Sequence, residues 1–312
     1  MSFLVIGECV ADIVRAPAGS DAADRVHPGG SPANVAYGLG RLGRDVTLLT
    51  QLADDTTGRL IEAHLKGAGV RVETGDLPER TPSAVVGLDA RGQASYTFDI
   101  AWTLKSGPPA DLAPGHVHIG SIAAVTAPGA AAVLAGTERL RERATVSYDP
   151  NVRPELMGEH GSAVARVERC VTLSDLVKAS DEDLAWLYPD EDPRTVAARW
   201  LALGPAVVLL TRGAAGSLAV TRHHTVAAEA PPVTVVDTVG AGDSFMATVL
   251  DALAGQGRDA LGALGAEDLA GLLRRAGAAA AVTVSRNGAQ PPDRDELDAA
   301  LQRFALRSGR GW

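Results

Sequence analysis

Short β-branched runs alternate with Ala- and Leu-rich stretches along most of the chain, and few folds accept that rhythm. Strands are expected at 3–7, 46–50, 116–120, 145–149, 206–211 and 217–220. Helices are expected between them at 32–42, 56–67, 128–142, 163–172, 193–203, 243–254 and 267–281. Strand, helix, strand in succession implies crossover connections, so the strands pair in parallel and helices cover both faces of the sheet. Only 4% of the residues are aromatic while 46% are hydrophobic, so the core between those layers is built from Ala, Val and Leu. The chain of 312 residues is expected to form a single domain, 1–312, with no repeat or flexible linker dividing it.

The formal net charge of -9 repels phosphate backbones and argues against a nucleic-acid partner. Cys9 and Cys170 are too few for a disulfide framework and fit a reducing compartment. The first residues enter a strand pattern directly, without the basic start of a signal peptide, and no window approaches the ~18 apolar residues of a membrane span. A soluble, cytoplasmic protein with no membrane partner is expected. Lysine occurs only at Lys66, Lys105 and Lys178, and no Gly-x-x-x-x-Gly-Lys-Ser/Thr is present, so a P-loop lysine handles no phosphate here.

One region departs from the rhythm. From 72 to 101 the pattern has period two: Ala84, Val86 and Leu88 alternate in one run, and Ala94, Tyr96 and Phe98 in the next. Asp89-Ala90-Arg91-Gly92 between them supplies turn chemistry. With residues 9–16 this hairpin is expected to form a small sheet off the core, either a lid or an extended edge.

Two glycine-rich helix starts carry the chemistry. In "DTVGAGDSF", 237–245, a strand-like run at Val233–Val236 leads into Gly240, Ala241 and Gly242, and a helix follows. Small residues there let a ligand approach backbone N–H groups where the helix dipole favours negative charge. Asp243 comes next, and the residues alone admit two roles for it: a helix cap, or a base that takes a proton from a substrate hydroxyl. In "HPGGSPANVAYGLGRLG", 27–43, Gly29-Gly30 precede a helix bearing Asn34, while Gly38, Gly40 and Gly43 permit close packing. Glu8 and Asp12 close the first strand, where α/β folds place their ligands.

These two stretches, in this order and separation, resemble the two signatures of the PfkB, or ribokinase-like, carbohydrate kinases, and the resemblance spans essentially the whole chain. It implies a three-layer α/β/α core with a mostly parallel sheet and a small β-sheet lid, formed by about 9–16 and 72–101. It implies ATP and Mg2+ as cofactors and a small sugar as substrate. Asp243 becomes the base on the sugar hydroxyl; Gly240, Ala241 and Gly242 hold charge on the transferred phosphate; Asp12, Gly30 and Asn34 bind sugar hydroxyls. "SYDPNVRP", 147–154, with Asp149, Asn151 and Arg153, is similar to a segment of fructokinases and 2-keto-3-deoxygluconate kinases, and puts Arg153 at the substrate. Taken alone, that segment reads equally as a strand-end turn with a buried ion pair. "KASDEDL", 178–184, stands where ribokinases show Asn-x-x-Glu, with Ser180 and Asp183 at the matching positions near metal and phosphate.

The same resemblance puts Thr211, Gly213 and Gly216 of "LLTRGAAGSLAV" on the nucleotide side, with Asn287 of "VTVSRNGAQPP" near the adenine. It implies a K+ site made of backbone oxygens of Asp237, Val239, Arg286 and Gly288, and admits a homodimer through the lid. His116-x-His118 reads as a metal pair or, with no third ligand motif nearby, as part of a strand. The activity implied is phosphorylation of a primary sugar hydroxyl, fructose first, with 2-keto-3-deoxygluconate, ribose or a nucleoside as the alternatives to it. A sugar-binding regulator without catalysis is the reading from another class. Few aromatics are available to stack a nucleoside base, though Tyr96, Phe98 and Trp102 lie in or beside the lid.

Overall fold

The computed structural model describes residues 1–15, 23–88 and 94–308, so the turn expected at 89–92 lies outside it. In chain order the elements begin with strands β1 (Ser2–Ile6), β2 (Val10–Val14) and β3 (Arg25–Gly29), helix α1 (Ser31–Arg41), β4 (Asp45–Thr50), α2 (Thr56–Gly67) and β5 (Arg71–Thr74). There follow β6 (Ser83–Leu88), β7 (Ala94–Asp99), β8 (His116–Gly120), α3 (Ala130–Leu140), β9 (Thr145–Asp149), α4 (Pro154–Met157) and α5 (His160–Leu173). The last third holds β10 (Leu176–Ser180), α6 (Asp181–Leu187), α7 (Pro193–Leu203), β11 (Val207–Thr211), β12 (Ser217–Val220), β13 (Thr225–Ala228), α8 (Ala241–Ala252), α9 (Arg258–Gly262), α10 (Ala266–Val284) and α11 (Arg294–Ser308).

Nine strands make one sheet in the order β13-β12-β11-β10-β9-β8-β1-β4-β5. From β11 to β5 every pairing is parallel; β12 and β13 fold back antiparallel at one edge. The sheet is buried on both sides, which is why its central strands read as continuous apolar runs. In β1, Leu4 and Ile6 pack into one layer with Val133, Val167 and Trp200 of α3, α5 and α7. Phe3 and Val5 face the opposite layer with Leu39, Ile61, Met246 and Leu273 of α1, α2, α8 and α10. Three layers result, with a core on each side of the sheet.

A second sheet, β3-β2-β6-β7, stands off the first. It is mixed: β2 pairs parallel with β6 and antiparallel with β3, and β6 with β7 antiparallel. Its extent differs from the sequence expectation in two ways. Residues 71–74 join the main sheet beside β4. Arg25–Gly29, which has a Pro and a Gly and no apolar alternation, completes the lid sheet. Of the two positions allowed for Trp102, in the lid or beside it, the structure has the second: it is 2% exposed and belongs to the main core with Leu104.

The strand expected at Val233–Val236 does not form. Val233, Val235 and Val236 are exposed, and the N–H groups of Val236 and Asp237 both donate to the Val284 carbonyl at the end of α10. The segment crosses a helix end instead of pairing in a sheet. Cys9 and Cys170 are free and buried. Among the described residues no helix is long and apolar enough to cross a membrane.

Candidate active site

A cavity of about 1000 Å³ opens between the lid sheet and the carboxyl ends of the parallel strands. Ligand sites of open α/β sheets lie there, because loops and helix N-termini converge at that edge. Its wall includes Asp12, Gly30, Asn34 and Arg153 at one end and Thr211, Gly213 and Gly216 at the other. Ser180, Asp183 and the turn 239–243 lie between them.

Helix α8 starts at the middle of this wall. Gly240 is its N-cap, in the left-handed region at φ 74°, and no side chain caps the helix. The capping role that the sequence allowed Asp243 is therefore unfilled. Its buried carboxylate instead reaches across to α1: Oδ1 accepts from Ser31 Oγ at 2.6 Å and Oδ2 from Asn34 Nδ2 at 2.8 Å. Two glycines allow this reach. A Cβ on Gly38 would stand 2.8 Å from the Ala247 Cβ, so glycine there lets α1 and α8 pack close enough for the bond to form. Gly30, at φ 96°, turns the chain out of β3 with its Cα against backbone; a Cβ would meet the Glu8 carbonyl at 2.5 Å.

The residues expected on the sugar side sit on different elements. Asp12 projects from lid strand β2; burial pushes its pKa up to about 6, helped by the Asp243 charge and opposed by His27 and Arg153. Glu8, just after β1, lines the same end and accepts from Ala123 N–H at 3.1 Å. It is 2% exposed, and burial outweighs its hydrogen bonds and the Arg153 charge to push its pKa to about 7. Arg153 is exposed at the rim, donating only to the carbonyls of Asn151 and Val152 among the described residues. The buried ion pair that its segment suggested exists, but with another partner: Asp149 pairs with Lys178 at 2.7 Å.

Ser180 and Asp183 form a capping box at the start of α6: Asp183 N–H donates to Ser180 Oγ at 3.0 Å and Ser180 N–H to Asp183 Oδ2 at 2.8 Å. The other oxygen, Oδ1, accepts from Val152 N–H at 2.7 Å. Both oxygens of Asp183 are thus engaged with backbone, and it orders the 149–153 turn rather than presenting a bare carboxylate.

Three of the four proposed cation residues, and Asn287, fall outside the cavity wall. Asn287 is exposed on the turn after α10, and the Arg286 side chain is drawn away to Glu296. The two cation segments nevertheless meet: Asp237 accepts from Val239 N–H at 3.1 Å and from Gly288 N–H at 2.8 Å. His116 and His118 make no metal pair. Their rings bond to Thr145 and Ser147 at 2.7–2.9 Å, and burial lowers their pKa values to about 4 and about 3, so both are neutral at pH 7.

Sequence reasoning gave no role to Ser31 or to the Lys178–Asp149 pair. Ser31 follows the noted glycines directly, but its tie to Asp243 spans 212 positions and has no local signal.

A three-layer core, a β lid, and a carboxylate at a glycine-rich helix start facing the cavity between them define a sugar-kinase architecture. The model of the pfkB family of carbohydrate kinases matches residues 2–296, and the chain belongs to that family. It is 35% identical over 309 residues to a fructokinase of Klebsiella pneumoniae, covering 95% of this chain and 98% of that one. A fructokinase of Rhizobium leguminosarum bv. trifolii is also 35% identical, over 73% of this chain and 72% of its own length. Among solved structures, the ATP-bound fructokinase of Xylella fastidiosa superposes with a TM-score of 0.84 at 28% identity, covering 97% of this chain and 98% of that one. A Vibrio cholerae O395 fructokinase with fructose, ADP and potassium ion superposes at 0.82 with 26% identity, over 96% and 98%.

Proposed function

We propose that this carbohydrate kinase transfers the γ-phosphate of ATP to a primary hydroxyl of fructose. The observation that carries the reading is the Asp243 carboxylate, held by Ser31 and Asn34 at a helix start in the cavity wall and not spent on capping. Its similarity to fructokinases along nearly its whole length supports the choice of sugar.

The residues fit this chemistry. Asp243 accepts the hydroxyl proton as the new bond forms, and Asn34 and Ser31 keep its oxygens aimed. Asp12, Asn34 and Gly30 form the sugar end and Arg153 its rim. The N–H groups of Gly240, Ala241 and Gly242 stabilise charge on the transferred phosphoryl. Thr211, Gly213 and Gly216 line the nucleotide end, with Val233, Val235 and Val239 along the same wall. Among the described residues no group of three or more His, Cys, Asp or Glu is placed to hold a metal; Mg2+ would be held mainly by the phosphates of ATP and by water. The Asp237–Gly288 bond holds together the segments whose carbonyls would take K+.

The test is ATP consumption with Mg2+ across ketoses, sugar acids, ribose and nucleosides, run in potassium and in tetramethylammonium salts. Fructose supports the fastest turnover and potassium raises it. Turnover on a sugar acid but not fructose replaces the substrate; sugar binding without turnover on any of them makes the protein a regulator.

Asp12→Ala weakens fructose binding by about 1.5–3 kcal/mol, the range for a hydrogen bond to a charged group, with ATP affinity unchanged. Calorimetric titration giving equal fructose affinities would remove Asp12 from the site.

The lid closes over bound sugar in a cytoplasmic enzyme, and its outer strands β3 and β7 are the edges available for pairing with a second copy. Amide exchange in Ser83–Leu88 and Ala94–Asp99 slows at saturating fructose. A lid-to-lid dimer in addition doubles the mass by light scattering and protects β3 and β7 before sugar is added. Exchange that ignores sugar makes the ribbon static, and a monomer mass excludes the dimer.

A further inference from the structure

The face of the main sheet beneath α8 is polar along one line. His116 and His118 of β8, Thr145, Ser147 and Asp149 of β9, and Lys178 of β10 are all buried there. The line ends at the Lys178 ammonium, 4% exposed and bonded to Asp149 Oδ2 at 2.7 Å. Among the described residues Asp149 is the only hydrogen-bond partner of Nζ, so two of its three N–H bonds have no protein acceptor.

What lies over the ammonium is the first turn of α8. A Cβ built on Gly242 would stand 2.9 Å from Nζ and 3.8 Å from Cε. Glycine at 242 therefore does more than bare an N–H: it leaves room for a buried cation at the bottom of the phosphate turn. Lys178 itself lines the cavity. Burial works against the ammonium, but the carboxylates of Asp149, Asp183 and Asp243 outweigh it and raise its pKa, so the charge is present at neutral pH.

From this geometry we infer that Lys178 is a catalytic residue, its ammonium, seated by Asp149 beneath Gly242, contacting and neutralising the phosphoryl group in flight. The inference rests on the kinase reading and adds to it a charged group that the two glycine-rich signatures do not contain. In the step, the sugar hydroxyl oxygen forms a bond to the γ-phosphorus while the bond from that phosphorus to the β–γ bridging oxygen breaks. ADP leaves with that electron pair, and the hydroxyl proton passes to Asp243. Lys178 neither gives nor takes a proton. It offsets negative charge on the oxygens that stay on phosphorus, where removing one such donor costs about 10²–10³-fold in rate.

With only three lysines in the chain, the idea can be read without any substitution. Protein labelled with ¹⁵N at lysine Nζ gives three ammonium signals, two of them from the exposed Lys66 and Lys105. Adding ADP, Mg2+, aluminium fluoride and fructose shifts the Lys178 signal alone, whereas fructose alone leaves all three in place. An unmoved Lys178 signal in the full mixture overturns the inference. The double variant Lys178→Met/Asp149→Asn removes both members of the pair, so neither is left buried without the other. If the pair is only structural, it melts near the parent temperature and turns over within tenfold of it. The inference requires instead a folded protein with parental fructose affinity, turnover down at least 100-fold, and affinity for the ADP–aluminium fluoride complex down by a similar factor. A parent that phosphorylates no sugar discredits the kinase reading, while the label experiment still reports where the ammonium points.

Discussion

Asp243→Asn folds, binds fructose and ATP, and turns over about 10²–10⁴-fold more slowly, the usual contribution of a general base. The structure explains why the fold survives. The introduced amide presents its carbonyl oxygen to Asn34 Nδ2 and its NH2 group to Ser31 Oγ, whose hydroxyl switches from donor to acceptor. Both existing contacts have counterparts, so the melting temperature moves little. What is lost is a group with the basicity to take the hydroxyl proton. The measurement is kcat beside calorimetric affinities for both ligands. A variant that keeps a tenth or more of the parental kcat takes Asp243 out of proton transfer.

Glu8→Gln stabilises the ligand-free protein at pH 8 by about 3 kcal/mol and has no such effect at pH 4.5. The Glu8 pKa rises from 4.5 to about 7 in the folded protein, chiefly through burial, and each unit is worth about 1.4 kcal/mol. A raised folded-state value means that the native state binds the extra proton. The stabilisation is complete below pH 4.5 and is lost as pH climbs through 7. Above that, the folded protein carries a buried carboxylate that the unfolded chain would hydrate. Gln keeps an acceptor for the Ala123 N–H and never ionises, so the gap between variant and parent opens across this window. Denaturant titrations at several pH values measure it directly. Parallel stability curves for parent and variant would mean that Glu8 titrates normally.

Most of the main sheet is legible in the sequence because its buried parallel strands are short apolar runs with little polar interruption. Where a strand carries work, the signal fades. β10 reads Leu-Val-Lys-Ala-Ser and gave no strand pattern, because a buried lysine replaces an apolar residue on the face beneath α8. β3 is hidden by a Pro and a Gly that an edge strand of the lid tolerates. Val233–Val236 shows the reverse error, an apolar run with no partner strand to receive it. The glycine-rich helix starts are local and could be read directly, since each must expose backbone within a few residues. The Lys178–Asp149 pair could not, because it depends on strand register and on what α8 lays over it. Asn287 and the cation turn mark another limit: the segment lies near the site, yet Arg286 is turned to Glu296 and Gly288 to Asp237.

The junction between β3 and α1 has a mechanical consequence. The lid strand ends at Gly29, and Ser31, which holds Asp243, begins the helix two residues later. One glycine is all the linkage between them, and its left-handed backbone, pressed against the Glu8 carbonyl, has little slack to absorb a rotation. The cover over the cavity and the bracket that aims the carboxylate are therefore two ends of one lever. A residue with a side chain at Gly30 would disturb both together, so the two cannot be tuned apart by a change at their hinge.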